Sequence, residues 1–157
     1  MKFLVDFMLG RLCRWLRSFG YDAAYFVSEK KSDLIYVSLK EDRIILTRDR
    51  RLSRKKAIKL VLVESDVLEE QLEQVFTELK LKPDAKNIFT RCIECNTALQ
   101  PVKKESVKKE VPSYVFQTQN DFFLCPGCKK VYWKGTHRDL ITEKIKKMNK
   151  FYERKNN

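Results

Sequence analysis

The chain has 157 residues, 43% of them apolar, and a formal net charge of +12. That length holds one ordinary domain or a compact domain with a small appendage, the apolar share sustains a real core, and no run approaches the roughly 18 apolar residues a membrane-spanning helix needs. The charge is uneven, with 18 Lys/Arg against 14 Asp/Glu in residues 1–90 and 15 against 7 in residues 91–157. A basic C-terminal part favours a polyanionic partner, nucleic acid before a membrane surface, because phosphate neutralisation releases counterions; lysines that only keep the chain soluble are the alternative.

In chain order, Met1–Val5 is too short an apolar segment for a secretory signal, so the sequence reads as cytoplasmic. Residues 2–6 form a strand-like apolar run ending in Asp6. Leu9, Leu12, Cys13, Leu16 and Phe19 follow at helical spacing, with Arg11, Arg14 and Arg17 on the more exposed positions and Gly20 as the stop. A second strand is expected over 23–27. Ser32 or Asp33 is expected to cap a helix carrying Leu34, Ile35 and Leu39. Residues 43–47 read as a strand buried on both faces, ending at Arg48-Asp49-Arg50-Arg51, with a short basic helix over 50–58 and a fourth strand over 59–63. Asp66-x-x-Glu69 resembles a capping box for a helix striped by Leu68, Leu72, Val75, Phe76 and Leu79. Strands alternating with helices predict an α/β fold with a mostly parallel central sheet over residues 1–80.

Residues 81–88 lack periodicity and read as a linker, and residues 89–157 follow a different grammar. Val102 to Val111 alternates in part, predicting exposed strands or a long hairpin. Residues 122–124 and 131–133 read as strands, and Thr136 with Asp139 predicts the start of a Lys-rich closing helix running to about Asn149. Cys92-Ile-Glu-Cys95 and Cys125-Pro-Gly-Cys128 are paired knuckles of the kind that gives tetrahedral Zn²⁺ four thiolates, with no open position for catalysis. A redox dithiol is the alternative, and a reducing compartment argues against disulfides. Cys13 reads as a core residue. His137, the only histidine, reads as structural or phosphate-facing, which leaves triad chemistry without a base.

The carboxylates carry the catalytic reading. Asp6 and Asp49 each end an apolar strand, and in a parallel sheet both tips emerge at the carboxyl edge, where α/β ligand sites form. Asp33 begins the helix before the central strand, and Asp66 follows the fourth strand as a possible additional acid. Converging carboxylates repel unless a divalent cation joins them, and oxygen ligands select Mg²⁺ or Mn²⁺. Arg11, Arg14, Arg48, Arg50, Arg51 and Arg54 rim this centre, an arrangement suited to a phosphodiester, with Arg11, Arg14, Arg48 and Arg50 as the expected phosphate contacts. Capping aspartates beside a solvated basic face are the plain alternative.

These residues resemble a known family. Phe-Leu-Val-Asp6-x-Met-Leu-Gly-Arg-Leu-x-Arg-Trp-Leu-Arg-x-x-Gly-Tyr-Asp22, Ile-Leu-Thr-Arg-Asp49-Arg, Arg91-Cys-x-x-Cys-Asn96 and Cys125-Pro-x-Cys128-x-x-Val-Tyr-Trp-x-Gly-Thr-His137 look like the Mut-seven C-terminal ribonuclease domain family, a PIN-like nuclease domain fused to a zinc ribbon. The resemblance implies a three-layer α/β/α fold and RNA hydrolysis by Mg²⁺ or Mn²⁺ bound to clustered aspartates. Asp6, Asp33 and Asp49 match the family's acids, and Asp66 stands at its variable fourth position, with Glu64 nearby. A non-catalytic RNA-binding adaptor with a vestigial acidic cluster is the competing expectation.

Overall fold

The computed structural model describes residues 1–28, 30–54, 58–133, 135 and 139–147. Its apolar strands β1 (Lys2–Asp6) and β3 (Ile44–Thr47) lie at the centre of a parallel sheet of order β2-β1-β3-β4, flanked by β2 (Asp22–Phe26) and β4 (Leu60–Leu62). Successive side chains of a strand face opposite sides, so Phe3 and Val5 enter one core and Leu4 the other. Helices α1 (Gly10–Ser18) and α3 (Leu68–Glu78) cover the first face with Leu12, Leu16, Leu72, Val75 and Phe76. Helix α2 (Lys31–Glu41) covers the second with Leu34. This is the expected three-layer α/β/α arrangement.

Local signals fared unevenly. Helix α2 starts after Lys30 with no side-chain cap, so neither Ser32 nor Asp33 caps it. Leu39 points outward, and Ser38 is buried instead, its hydroxyl donating to the Arg43 carbonyl at 2.7 Å. The expected Asp66 capping box is absent: the residue before α3 is Val67, and Ser65 Oγ accepts from the Val67 N–H at 3.0 Å while donating to Glu70 at 2.6 Å. The basic segment after β3 holds a single 3₁₀ turn, Leu52–Arg54, and residues 55–57 lie outside the described part.

At the end of α1, Gly20 adopts φ +87°, and the N–H groups of Gly20 and Tyr21 return to the carbonyls of Arg17 and Leu16, a Schellman ending. A Cβ on Gly20 would lie 2.3 Å from the Asn87 carbonyl oxygen, so the segment after α3 presses directly on this turn. Leu81 and Ile88 anchor that segment in the first core.

The second sheet is antiparallel, β5 (Gln100–Val102), β6 (Phe122–Leu124) and β7 (Val131–Trp133) in that order. The expected hairpin over 102–111 is replaced by a 3₁₀ turn, Lys104–Val107, and a short helix α4 (Ser113–Thr118). Val107, Val111 and Val115 recur every fourth residue, nearer the period of a helical turn than of a strand, and they bury together with Phe122. The closing helix, residues 139–147, returns to the first core with Ile141 and Ile145. Its Lys144 pairs with Glu69 at 2.7 Å and lies 4.4 Å from the Trp15 ring. Thr136 and His137 lie outside the described residues.

Arg17, expected on the exposed face of α1, is 6% exposed. Its guanidinium donates to the carbonyls of Ala23 at 2.8 Å, Ile93 at 2.9 Å and Glu94 at 2.6 Å, binding α1 and β2 to the first cysteine knuckle. Replacing Arg17 with Ala strands these acceptors and is expected to cost about 3 kcal/mol, read as a lowered urea midpoint at unchanged slope.

Candidate active site and metal centre

Because β1 and β3 are parallel neighbours with Val5 opposite Leu46, Asp6 emerges beside Thr47 at the carboxyl edge of the sheet. Asp6 is fully buried. Its Oδ1 accepts from the Phe7 N–H at 2.9 Å, and its Oδ2 accepts from the Thr47 hydroxyl at 2.6 Å and the Lys31 ammonium at 2.7 Å. Lys31 is the first residue of α2, so the helix start delivers a cation to the strand tip. Thr47 Oγ1 in turn accepts from the Asp49 N–H at 3.0 Å, which fixes the turn carrying Asp49.

Asp49 is gripped by its neighbour. Arg51 Nε and Nη2 donate to its two oxygens at 3.0 and 2.9 Å, and the Arg51 N–H adds a third bond at 3.0 Å. This pairing lowers the Asp49 carboxyl to about 2, with a smaller contribution from Lys31. Phe7, Met8, Lys31, Arg48, Arg50 and Arg51 surround Asp49 in an open cleft of about 470 Å³. Asp33 stays exposed in the first turn of α2, accepting from the Ser32 hydroxyl at 3.3 Å. Asp66 is exposed before α3, and Arg50 reaches Glu64 at 3.4 Å. Arg11 and Arg14 project from exposed positions of α1, Arg14 pairing with Glu94 at 2.7 Å.

The oxygen donors of Asp6, Thr47 and Asp49 suit a hard cation chemically. The cation seated on Asp6 is the Lys31 ammonium, and among the described residues Asp6, Asp33 and Asp49 do not form a compact group of metal-binding oxygens. Lys31 and Thr47 are the site residues that sequence reasoning missed. A lysine opening a helix looks like surface charge, whereas Thr47 sits within the Thr-Arg-Asp segment that marked Asp49.

The four cysteines do come together, with all sulfurs within 4.8 Å of one another. A tetrahedron of Zn–S bonds about 2.3 Å long has edges of about 3.8 Å, so this set fits zinc. The two knuckles fold alike. Asn96 and Lys129, each following a second cysteine, adopt φ 68° and 64° and donate their N–H to the carbonyls of Cys92 and Cys125, both at 2.9 Å. Tyr132 places its hydroxyl 3.1 Å from Cys92 Sγ. The first knuckle is also tied to the sheet: Asn96 donates to Asp22 at 2.7 Å and accepts from the Ala23 N–H at 3.1 Å. Burial opposes ionisation of Asp22, but hydrogen bonds from Arg43 and Asn96 outweigh it and hold the carboxyl below its ordinary range.

Residues 1–145 match the family model described as the Mut7-C RNAse domain. The chain belongs to this family. No curated protein and no solved structure gives a significant match. Membership in the Mut7-C family points to a nuclease-like function on RNA. No helix among the described residues of this Mut7-C chain is long and apolar enough to cross a membrane.

Two outcomes are expected. Arg51→Ala should return the Asp49 carboxyl from about 2 toward the ordinary range, followed by carboxyl-carbon NMR titration. Because the folded value is depressed, the pairing stabilises the fold fully above the unfolded Asp value of about 3.9 and loses this effect as pH falls toward about 2. The variant should therefore show less acid-induced loss of stability across that window. Separately, Cys125→Ser should lower bound zinc well below one equivalent by metal analysis and release the Val107–Phe122 cluster, seen as loss of amide-exchange protection there.

Proposed function

We propose that this chain is a metal-dependent ribonuclease whose acidic centre lies at the carboxyl edge of the parallel sheet. The observation carrying the reading is the fully buried Asp6 carboxylate, joined through Thr47 to Asp49 beneath a cleft that also presents Lys31, Arg48, Arg50 and Arg51. Asp6 caps the turn after β1, yet full burial of an acid at this edge exceeds what a cap requires, and the cations above it suit a phosphodiester.

In this reading Asp6 and Asp49, with Asp33 as a third acid and Asp66 as a possible fourth, would hold Mg²⁺ or Mn²⁺. The ion would neutralise charge developing on the reacting phosphate. Water adds its oxygen to phosphorus, the ester P–O bond breaks, and a proton from water ends on the departing oxygen. The bonds from Arg51 favour the ionised form of Asp49, which suits a ligand to a cation. Arg48 and Arg50 steady the adjacent phosphates at the cleft, while Arg11 and Arg14 extend the basic track along α1. Lys31 neutralises Asp6 in the free protein, and a divalent ion bound through Asp6 would have to take over that role.

Residues 1–80 would form the nuclease part, 81–88 the connection and 89–157 the zinc-bearing part. Structural zinc on Cys92, Cys95, Cys125 and Cys128 would shape a ribbon that adds RNA-binding surface. A reducing, cytoplasmic setting would keep these thiols free for the metal.

The second reading is a non-catalytic RNA-binding adaptor, favoured by Lys31 and Arg51 already neutralising Asp6 and Asp49. Asp49→Asn distinguishes the two. Under the hydrolytic reading, cleavage of labelled single-stranded RNA with Mn²⁺ falls at least a hundredfold while folding and RNA affinity stay near those of the parent. Cleavage at the parental rate removes Asp49 from the reaction, and no metal-dependent product from the parent chain leaves the adaptor.

A further inference from the structure

Where the second sheet faces α1 and the closing helix, a groove of about 770 Å³ opens, separate from the acidic cleft. Trp15, Tyr114, Tyr132 and Trp133 line it together with Arg14 and Lys130. Tyr114 is 68% exposed, although an aromatic ring gains by leaving water. Lys144 already lies against Trp15, showing that a cation is accommodated beside this aromatic wall. Arg14 and Lys130 converge on the single carboxylate of Glu94, at 2.7 and 3.3 Å, so cationic groups outnumber the acid between them.

We propose that this groove binds the unpaired bases of single-stranded RNA, with Tyr114 and Trp133 as stacking surfaces and Arg14 and Lys130 on the flanking phosphates. The inference rests on the RNA reading above and narrows its substrate class to unpaired strands. Aromatic faces stack on any base once it is freed from pairing, whereas a duplex keeps its bases stacked on one another. Charge favours a polyanion over an apolar peptide, because two side-chain cations stand at the groove and the chain carries +12 overall.

The placement is also mechanically apt. Helix α1 starts four residues after Asp6 and carries Arg11 on its first turn, then Arg14, Trp15 and Ser18 toward the groove. A strand crossing the carboxyl edge of the sheet can follow this helix and leave its bases between α1 and β7. The groove wall is braced by the metal centre, since Tyr132 lies both in the groove and beside Cys92.

The chain contains two tryptophans, and both line the groove. Their fluorescence therefore reports on its occupancy directly. With the zinc-loaded protein and no added Mg²⁺ or Mn²⁺, short oligoadenylate is expected to quench the tryptophan emission in a saturable way. A blunt RNA duplex of equal length should leave most of it unchanged. Tyr114→Ala, at an exposed position, should weaken oligoadenylate binding roughly tenfold without altering duplex binding. Absence of quenching by bound oligoadenylate, or equal weakening of both ligands by Tyr114→Ala, overturns the proposal. Adding Mn²⁺ separates this inference from the hydrolytic reading: a strand that quenches but is never cut supports the groove and defeats hydrolysis, and a strand cut without quenching does the reverse.

Discussion

A carboxylate removed wholly from water has to be compensated, and the compensation of Asp6 sets the geometry of the sheet edge. An unmet charge in that position costs several kcal/mol. Its partners come from three places in the chain: the Phe7 N–H just beyond β1, the Thr47 hydroxyl at the tip of β3, and the Lys31 ammonium at the start of α2. Each must be in place for the others to be well used. The turn bearing Asp49 hangs from the same Thr47 oxygen, so the cleft inherits its shape from one buried group. The pair of Asp6 and Lys31 also gives the site a resident cation, and any divalent ion must compete with an ammonium held at 2.7 Å.

The same logic operates where the two sheets meet. Arg17 spends its donors on carbonyls from β2 and from the first cysteine knuckle, and Asp22 Oδ1 accepts both from Asn96 of that knuckle and from Arg43. Polar groups take a large part in this junction. Its bonds run to backbone carbonyls and to Asn96, whose left-handed conformation is dictated by the turn around the cysteines. The shape of the metal turn and the position of β2 are thereby linked.

Much of the layer arrangement was legible in the chain. Continuous apolar runs ending in Asp6 and Thr47 marked strands covered on both faces, and the stripe of Leu68, Leu72, Val75 and Phe76 marked α3. The paired cysteines were equally plain, since few other arrangements use that spacing. Capping was less legible: Asp33 and Asp66 are good capping residues by type, but a cap depends on the angle at which the chain enters the helix, and Lys30 and Val67 occupy those positions instead. Partial alternation over 102–111 suggested strands, and packing of Val107 and Val111 with Val115 and Phe122 overrode that pattern. Lys31 and Arg17 were hidden for another reason. Long cations usually face water, and only the fold reveals the buried acceptors that draw them inward.

Because residues 139–147 return to the first core, the cysteine-bearing segment is followed in the chain by a helix that packs back on α1 and α3. Ile141 and Ile145 sit among the side chains of α1 and α3, on the far side of the sequence from the cysteines. Cutting the chain after residue 80 would leave the α1–α3 face with an apolar gap open to solvent. Excising the cysteine-bearing segment would strand the Arg17 guanidinium and uncover Trp15 and Ile141, which face the second sheet across the groove. The cysteine turns and the closing helix are thus held to the first core by different means, the former through polar bonds to α1 and β2 and the latter through apolar packing.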